Sequence, residues 1–427
     1  MSSTSAAAKS CFARKGMTVP ADDAIVGLDI GTTKVAAAIG EYNENGELEI
    51  TGIGTSASHG LRRGVVINIE STLRSVHAAI EAAEQMAGRE VQNVVTGIAG
   101  GHIEGINSRG VVAVTGKGRE IAQHDVDRVI DAAKAVVIPM DREVLHVIPQ
   151  EFIVDDQGGI KNPLDMIGVR LEAEVHIITG SVTSAQNLVK CVNRAGFKVD
   201  SIVLESLASS RAVLSRDEQE LGVLLIDLGG GTTDFLVHLD GAPYYTSVLP
   251  VGGQQVTGDI SIMLKTPMDS AEKIKREAGC AYTPLAEEGE PVIIPGVGGR
   301  PPLSVKQKDL AGIIEPRVAE ILTMVRDKVA KKGYLKHLGG GVVLTGGGAM
   351  IPGVVELAQD VFETAARVGQ PPSMGGVVEE YQTPEFATAV GLVQFGESLG
   401  VASKRPVAKE EGGLLQGFMQ WIKNFFQ

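Results

Sequence analysis

A strand, an acidic residue and a glycine–threonine turn follow one another twice in this chain, at positions almost two hundred residues apart. Residues 25–33 read IVGLDIGTT, and residues 224–233 read LLIDLGGGTT. Such a long interval indicates one domain repeated, because the units of a solenoid recur roughly every 20–50 residues. Strand-like and helix-like runs alternate along the chain, which predicts an α/β fold with a sheet covered on both faces. The predicted helices include one over 71–87, with Gly88 as its left-handed cap, and a long one over 316–332.

Both turns have the chemistry of a phosphate-binding site. Glycine lets the backbone approach a phosphate closely, and unpaired backbone N–H groups and threonine hydroxyls can donate hydrogen bonds to it. Two such turns facing each other could hold the β- and γ-phosphates of a nucleotide from both sides. We expect Asp29 and Asp227, at the strand ends, to hold Mg²⁺ through its water molecules, because magnesium keeps much of its hydration shell. Lys34 would add a positive charge near the phosphates.

A third glycine turn, at 345–349, follows a short apolar strand and would lie against the adenosine of the nucleotide. A lone glycine-rich turn is more often a structural bend, but three of them, two with an acidic strand end, favour a nucleotide site. The nucleotide-binding residues predicted on the three turns are Gly31, Thr32, Thr33, Lys34, Gly229, Gly230, Gly231, Thr232, Thr233, Gly346, Gly347 and Gly348.

The composition limits the other partners of the chain. The formal net charge is −13, and an acidic surface argues against nucleic acid as a partner. Cys11, Cys191 and Cys280 are widely spaced, which argues against a disulfide framework or a zinc site. No apolar run reaches the length of about 18 residues that a spanning helix needs. Residues 1–24 lack the apolar core of a signal peptide and are expected to form a disordered arm, with Met17 as an alternative start.

The three turns resemble the nucleotide motifs of a known superfamily. GLDIGTTK, LIDLGGGTTD and VLTGGGAMIPG are similar to the phosphate-1, phosphate-2 and adenosine motifs of the actin, DnaK-like chaperone and sugar-kinase superfamily. The resemblance implies a two-lobed, actin-like ATPase fold with ATP bound between the lobes. It also implies that Glu272 and Lys275, on one helix, reach the nucleoside, although a solvated helix face would show the same pattern.

The resemblance also places Glu205 roughly where related ATPases hold the residue that positions the attacking water. A glutamate there equally suits the N-terminus of a helix. We therefore expect an ATP-binding protein with at most weak ATPase activity.

Five further stretches resemble the FtsA family of bacterial cell division proteins. They read VLHVIPQEF at 144–152, GIKNP at 159–163, VGGRPP at 297–302, IEPR at 314–317 and YQTPEFATAVGL at 381–392. This resemblance implies a protein that self-assembles into actin-like filaments and anchors FtsZ filaments to the cytoplasmic side of the inner membrane at the division septum. The implied partners are the FtsZ C-terminal peptide, other copies of the chain, the lipid surface and later division proteins.

The same resemblance implies the domain boundaries. Residues 25–98 and 179–220 would form subdomain 1A, 99–178 the inserted subdomain 1C, 221–256 and 339–399 subdomain 2A, 257–338 subdomain 2B, and 400–411 a linker. Subdomain 2B binds the FtsZ peptide in this family. Lys306 and Lys308 are candidate contacts from their charge alone, and Arg300 is either a partner contact or the rim of a structural loop.

The last residues, 412–427, predict an amphipathic helix. With one residue every 100°, the large apolar side chains fall in one arc of roughly 160°. Trp421 and the phenylalanines favour the bilayer interface, and the segment is too short to span a bilayer comfortably. A helix that docks on the body could share this pattern, but its place after a charged linker favours a membrane anchor. The predicted membrane-facing residues are Leu414, Leu415, Phe418, Met419, Trp421, Ile422, Phe425 and Phe426.

Three other members of the superfamily compete with this interpretation. A sugar kinase would need a catalytic base facing a sugar pocket, and no motif marks one. An adaptor of the pilus machinery, of the PilM type, shares the fold, but the VGGRPP segment and the amphipathic tail favour the division protein. A DnaK-like chaperone would need a substrate-binding domain after the two lobes.

Overall fold

The computed structural model describes residues 24–286, 291–296, 298, 301–376 and 381–401. The predicted arm up to residue 23, Arg300, most of the predicted linker and the whole predicted tail helix lie outside the described residues.

The described residues fold into strands and helices that alternate along the chain, as the sequence predicts. The strands are β1 Ile25–Ile30, β2 Lys34–Tyr42, β3 Leu48–Ala57, β4 Leu61–Arg62, β5 Val65–Val66, β6 Asn93–Ile98, β7 Glu104–Ala113, β8 Arg142–Val154, β9 Gln157–Ile160, β10 Arg170–Ser181, β11 Lys198–Leu204, β12 Val223–Leu228, β13 Thr233–Leu239, β14 Ala242–Leu249, β15 Val292–Ile294, β16 Leu303–Val305, β17 Val342–Thr345 and β18 Ala366–Val368. The helices are α1 Ile69–Ala87, α2 Gln123–Lys134, α3 Val182–Arg194, α4 Glu205–Val213, α5 Arg216–Leu221, α6 Gly253–Leu264, α7 Met268–Ala278, α8 Gln307–Lys331, α9 Val354–Phe362 and α10 Ala387–Ser398.

The first lobe is built on a five-stranded sheet in the order β3–β2–β1–β6–β11. Its central strand, β1, pairs antiparallel with β2 and parallel with β6. Val26 of β1 belongs to the same apolar cluster as Val76 and Ile80 of α1, and its neighbour Ile25 clusters with Val390 of α10. Because successive side chains of a strand point to opposite faces, helices cover the sheet on both sides.

The second lobe repeats this arrangement with a sheet in the order β14–β13–β12–β17–β18. Its central strand, β12, pairs antiparallel with β13 and parallel with β17, as β1 does with β2 and β6. The two sheets therefore share one topology, which confirms that the repeated sequence pattern marks a duplicated domain.

Two additions extend the lobes. An antiparallel sheet in the order β7–β10–β8–β9 lies between β6 and α3, and its apolar cluster includes α2. This inserted sheet contacts the second lobe at β14, where the Nε2 of Gln150 donates to the carbonyl oxygen of Pro243 at 2.9 Å. The second addition consists of α6, α7, α8 and the β15–β16 hairpin, which share the core of the second lobe.

The boundaries of α1 follow the capping rules. Asn68 accepts a hydrogen bond from the backbone N–H of Ser71 through its side chain, which satisfies a free donor of the first turn. Gly88 ends the helix with a φ of 67°, a left-handed conformation that glycine adopts without a steric penalty. The glycine cap that the sequence predicts at this position is confirmed.

Helix α8 begins nine residues earlier than the sequence indicates. The sequence predicts a helix from Pro316 to Lys332, but α8 starts at Gln307 and contains Pro316 in its interior. Leu310 and Ile314 before the proline are fully buried, and Val318 after it lies in the same core. Burial of this apolar face offsets the lost backbone hydrogen bond at the proline.

Helix α10 belongs with the first lobe, although the predicted boundaries place residues up to 399 in subdomain 2A. Its Ala389, Val390 and Val393 cluster with Ile25 and Ala36 of the first sheet. The chain thus returns from the second lobe before α10 begins, and the predicted assignment of this segment is corrected. None of the helices in the described part of the chain is long and apolar enough to cross a membrane.

Candidate functional site

The first two glycine–threonine turns meet where β1 and β12 end. A Cβ atom added to Gly230 would lie 2.4 Å from the Oγ1 of Thr33, and one added to Gly231 would lie 2.5 Å from the Oγ1 of Thr32. Any side chain at either glycine would clash, so only glycine lets the second turn lie against the threonines of the first. The two turns, one from each lobe, therefore lie against each other, and the place where they meet is called the cleft below.

Each turn connects the two strands of a hairpin, and the two hairpins have the same register. In the first hairpin Asp29 lies opposite Ala36, and in the second Asp227 lies opposite Asp234, seven positions further on in both cases. The glycine that follows each acid bends in the same way: an added Cβ would lie 2.8 Å from the backbone oxygen of Lys34 at Gly31 and 3.0 Å from that of Thr232 at Gly229. By this register Lys34 corresponds to Thr232, so the matching Gly-Thr-Thr letters of the two motifs are offset by two positions in the structure.

The threonine hydroxyls of the two turns differ in the hydrogen bonds that they already make. The hydroxyl of Thr233 donates to the backbone oxygen of Val251 at 2.9 Å and is buried, so it serves the turn and does not face the cleft as a free donor. The Oγ1 of Thr32 accepts a hydrogen bond from the backbone N–H of Gly64 at 3.1 Å. Thr33 is exposed and has its hydroxyl beside Gly230.

Four acidic residues lie close enough to perturb one another. Burial raises the pKa of Asp29 to about 7, where the charge of Asp227 adds to the effect and that of Lys34 opposes it. Burial also raises the pKa of Asp234 to about 8, again with a contribution from Asp227. The pKa of Glu205, at the start of α4, is raised well above its ordinary value by burial and then by Asp29 and the other acids. Burial and neighbouring negative charges both disfavour the ionised form of a carboxyl group, so these acids keep protons that they would lose in water.

Asp234 is a residue of this cluster that the sequence reasoning missed. It is 3% exposed, and its Oδ1 is buried without a hydrogen-bond partner in the described part of the chain. The hairpin register was the available signal, since an acid seven positions after Asp227 must lie directly opposite it across the hairpin.

Asp227 is held in place by two hydroxyl groups that the sequence reasoning also missed. Its Oδ2 accepts a hydrogen bond from the Oγ of Ser209 on α4 at 2.8 Å and one from the Oγ1 of Thr388 on α10 at 3.2 Å. Burial raises the pKa of Asp227, and these two hydrogen bonds and the charge of Lys34 oppose that rise.

Lys34 lies near the carboxylates but has another partner. Its Nζ donates to the backbone oxygen of Glu385 at 2.7 Å, lies 3.1 Å from the Oε2 of the same residue, and lies 4.0 Å from the centre of the Phe386 ring. The lysine therefore bridges the first turn and the segment before α10.

The third glycine turn lies against the end of β12. Gly346 has a φ of 80°, and an added Cβ would lie 2.2 Å from the Oδ1 of Asp227. At Gly348 an added Cβ would lie 2.7 Å from the Cβ of Leu228, whereas Gly347 has open space around it. The structure thus brings the third turn to the same end of the second sheet as the second turn.

Glu272 and Lys275 of α7 form an ion pair beside the second turn. The Nζ of Lys275 lies 2.7 Å from the Oε2 of Glu272 and 3.2 Å from the backbone oxygen of Gly253, to which it donates. Gly253 in turn donates its N–H to the backbone oxygen of Gly229 at 2.9 Å. Lys275 is 8% exposed, whereas the side chain of Glu272 is 43% exposed, so only the lysine departs from a solvated helix face.

The donor set fits a magnesium ion that keeps its water molecules. Within the described residues no group of three or more His, Cys, Asp or Glu side chains is arranged to enclose a metal directly. Asp29 lies near the end of β1 in the first lobe and Asp227 near the end of β12 in the second. The Oδ1 of Asp234, which has no hydrogen-bond partner among the described residues, belongs to the same cluster. A few carboxylates plus phosphate oxygens and water are the usual surroundings of Mg²⁺, in contrast to a full protein cage.

Two family models match the chain. The model described as "Cell division protein FtsA" matches residues 224–391, and the model described as "SHS2 domain inserted in FTSA" matches residues 100–179. The second range contains β7, α2, β8, β9 and most of β10, which make up the inserted sheet and its helix.

Curated relatives match over most of their length. The cell division protein FtsA of Borreliella burgdorferi is 54% identical over 372 residues, which are 87% of this chain and 90% of the relative. That of Pseudomonas aeruginosa is 47% identical over 410 residues, which are 94% of this chain and 98% of the relative.

Solved structures with the same fold are far more distant in sequence. A PilM–PilN type IV pilus biogenesis complex matches with a TM-score of 0.63 at 16% identity, over 88% of this chain and 99% of the other. MreB5 of Spiroplasma citri bound to ADP matches with a TM-score of 0.54 at 13% identity, over 90% and 99%. These likenesses bear out the two-lobed, actin-like fold, and at such identities they show the fold alone.

Proposed function

The chain belongs to the FtsA family of cell division proteins, and from this membership we propose that it is an ATP-binding adaptor of the division machinery. In this proposal it binds ATP with Mg²⁺ in the cleft between the lobes and self-assembles into actin-like filaments. It anchors FtsZ filaments to the cytoplasmic side of the inner membrane at the septum, where later division proteins join it. The observation that carries the nucleotide site is the pair of facing turns beside a cluster of buried carboxylates.

The carboxylate cluster supports a bound cation. Burial raises the pKa values of Asp29 and Asp234, and the negative charge of Asp227 adds to both shifts. A divalent cation would remove this repulsion, since a bound ion is the largest local charge in such a site and lowers the pKa of the acids around it. The glycines of the facing turns would let phosphate oxygens approach the backbone N–H groups.

Glu205 supports binding in preference to rapid turnover. Burial and the neighbouring acids raise its pKa well above the ordinary value. A protonated carboxyl group cannot accept a proton from an attacking water. In the arrangement described, Glu205 is therefore a weak candidate base, and we propose at most slow hydrolysis.

Calorimetry of ATP binding with and without Mg²⁺ tests the site. Asp227→Asn keeps the size of the side chain and should weaken Mg²⁺–ATP binding by at least about tenfold, equal to about 1.4 kcal/mol. Asp217→Asn, the same change at an exposed position of α5, is the matched control. Glu205→Gln should lower turnover with little effect on affinity. Unchanged Mg²⁺–ATP affinity in Asp227→Asn would overturn the assignment.

The surface of α6 and the β15–β16 hairpin supports a protein partner in predicted subdomain 2B. Ile262, Met263 and Ile293 are each about two-thirds or more exposed, and exposed large apolar side chains that form a patch are typical of interaction sites. Lys306 and Lys308 next to the hairpin are exposed as well. We propose that the FtsZ C-terminal peptide binds here.

Peptide binding measured over a range of salt concentrations tests this location. Lys306→Glu and Lys308→Glu should weaken binding of the FtsZ peptide, and the loss should shrink as salt screens the charges. Lys198→Glu on the first lobe is the control. If deletion of residues 99–178 abolished binding while the 2B variants did not affect it, the proposed location would be wrong.

The amphipathic pattern of 412–427 supports a membrane anchor. One short helix with a single apolar face holds a bilayer only marginally, much as one acyl chain does. A filament that carries many such tails would gain avidity by a factor of about 10² to 10⁴ without a new contact to lipid. ATP-dependent assembly would then convert a weakly bound subunit into a firmly held polymer.

Vesicle flotation over a range of protein concentrations tests the anchor. Trp421→Glu should release the protein from vesicles and leave ATP binding intact, whereas Gln420→Glu on the predicted polar face should release much less. Tight binding that stays strictly linear at concentrations where no polymer forms would show that the tail is sufficient by itself and that avidity is not needed.

A further inference from the structure

Two buried hydroxyl groups converge on one oxygen of Asp227. The Oγ of Ser209 and the Oγ1 of Thr388 lie 2.8 and 3.2 Å from the Oδ2 of Asp227, and they lie 2.9 Å from each other. Ser209 is fully buried and Thr388 is 7% exposed. Both hydrogen bonds go to the same carboxylate oxygen, which leaves Oδ1 on the side of Gly346.

The two hydroxyls come from helices that cross at very short distance. A Cβ atom added to Gly391 of α10 would lie 1.9 Å from the backbone oxygen of Ala208 on α4. Ala208 directly precedes Ser209, and Gly391 lies one helical turn after Thr388. The close crossing that glycine allows therefore fixes the separation of the two hydroxyls.

The hydroxyls and the carboxylate belong to different parts of the molecule. Asp227 lies near the end of β12 in the second sheet, whereas α10 packs on β1 of the first sheet. α4 touches strands of both sheets. The hydrogen bonds thus connect a carboxylate of the second lobe with α10, which packs on the first lobe, and with α4, which touches both lobes. The orientation of the carboxylate therefore depends on the relative position of the lobes.

We propose that Ser209 and Thr388 are positioning residues that hold the Asp227 carboxylate in the orientation on which Mg²⁺-dependent nucleotide binding relies. This inference rests on the proposed function, because it assigns a cation to the cleft. The physical reason is that the residues around a metal site orient the groups that bind the metal. Groups that hydrogen-bond a metal-binding carboxylate fix its rotamer, and their removal typically weakens metal binding by about 10- to 100-fold.

The test separates the hydroxyl group from the shape of the side chain. Thr388→Val removes the hydroxyl and keeps the branched shape, whereas Thr388→Ser keeps the hydroxyl. Ser209→Ala removes the other hydroxyl from the other helix. Ser210→Ala is the matched control, because its buried hydroxyl donates to the backbone oxygen of Leu207 and does not touch Asp227.

Two quantities are measured on the full chain: the Mg²⁺ concentration that gives half-maximal thermal stabilisation with ATP present, and the affinity for ATP in the presence of a chelator. Thr388→Val and Ser209→Ala should raise the Mg²⁺ midpoint by about 10- to 100-fold and leave metal-free ATP affinity unchanged. Thr388→Ser and Ser210→Ala should stay close to the unsubstituted protein.

Each other outcome has a distinct meaning. A Mg²⁺ midpoint that is unchanged in both Thr388→Val and Ser209→Ala overturns the positioning role and leaves the proposed nucleotide site intact. Equal losses in Thr388→Val and Thr388→Ser, shared by metal-free binding, also overturn it, because they show that these residues only pack the helix crossing. If the unsubstituted protein binds ATP without any dependence on Mg²⁺, the proposed function itself fails. If Thr388→Val does not fold, Ser209→Ala and Thr388→Ser decide the question.

Discussion

The two halves of the cleft have the same backbone and different charges. The hairpin of the first lobe places Ala36 opposite Asp29, and the hairpin of the second lobe places Asp234 opposite Asp227. The first half also carries Lys34, whose charge opposes the rise in the pKa of Asp29. The second half has a threonine at the corresponding position and two acids facing each other.

This difference separates the geometry of the cleft from its electrostatics. The shared turn geometry supplies backbone N–H groups on both sides and follows from the duplication of the domain. The charges are divided, with one acid and one lysine on the first side and two acids on the second. Since cations are drawn to the side with uncompensated negative charge, we expect the second half to face the metal more closely and the first half to supply charge to the phosphates.

The largest effect should come from giving the first half the acid of the second. Ala36 is fully buried against α10, so Ala36→Asp would bury a second carboxylate beside Asp29 without a partner. We expect the free energy of unfolding to fall by about 3–5 kcal/mol, measured by chemical denaturation at neutral pH. Ala36→Asn adds nearly the same volume without the charge, and equal losses in the two variants would show that size alone is responsible.

The next effect concerns the third turn, which lies against Asp227 and Leu228 of the second half. Gly346→Ala would place a side chain at a φ of 80° and 2.2 Å from the Oδ1 of Asp227. We expect a loss of stability of about 2–3 kcal/mol together with weaker Mg²⁺-dependent nucleotide binding. Gly347→Ala, with open space around the new methyl group, should change stability by less than about 0.5 kcal/mol. Similar values for the two variants would contradict the described packing.

The acids of both halves should make the nucleotide-free protein less stable as the pH rises. The pKa of Asp29 is raised from 3.8 to about 7 and that of Asp234 from 3.8 to about 8, so the folded state binds more protons than the unfolded state between these values. The associated stability is fully present below about pH 4 and is lost as the pH rises through 7 and 8, with a slope of at most about 1.4 kcal/mol per pH unit for each proton.

Thermal unfolding from pH 5 to pH 9 measures this loss. Asp234→Asn should flatten the upper part of the decline, near pH 8, because it removes the acid that distinguishes the second half. Mg²⁺–ATP should flatten the whole decline in the unsubstituted protein. A stability that rises over this range, with neither change reducing the slope, would mean that the carboxyl groups are ionised without a cation.

The smallest effect should come from the ion pair of the first half. Lys34 and Glu385 have side chains about one-quarter exposed, and the lysine keeps its hydrogen bond to the Glu385 backbone oxygen when the carboxylate is removed. Glu385→Gln should therefore cost less than about 1 kcal/mol, measured by the midpoint of urea unfolding. A loss above about 2 kcal/mol would give this pair a structural role that the account does not include.

The sequence predicted those parts of the fold and the site that local pattern determines. The duplicated hairpins, the capped helix α1 and the facing glycine turns follow from apolar periodicity and from the conformations open to glycine. Asp234 was not predicted, because the two motifs were aligned on the letters Gly-Thr-Thr and this alignment does not give the register of the second hairpin.

The two hydrogen-bond partners of Asp227 were not predicted for a different reason. Ser209 and Thr388 lie on two helices far apart in sequence, and only the packing of those helices brings their hydroxyls to one oxygen. The start of α8 was predicted too late because tertiary burial outweighed the local preference of Pro316 for a first turn. α10 packs on the first lobe because the chain returns there after the second lobe, and local sequence pattern does not indicate such a return.

The most direct test of the account counts protons on nucleotide binding. Calorimetry of preformed Mg²⁺–ATP near pH 7.5, repeated in buffers with different ionisation enthalpies, gives the number of protons that the complex releases. Asp29 and Asp234, with pKa values of about 7 and about 8, hold protons in part at that pH, and a cation beside them should expel these protons. We expect net proton release that decreases in Asp234→Asn and is absent with metal-free ATP. Tight binding of Mg²⁺–ATP with no proton release, or with uptake, would contradict the claim that a cation completes the carboxylate cluster.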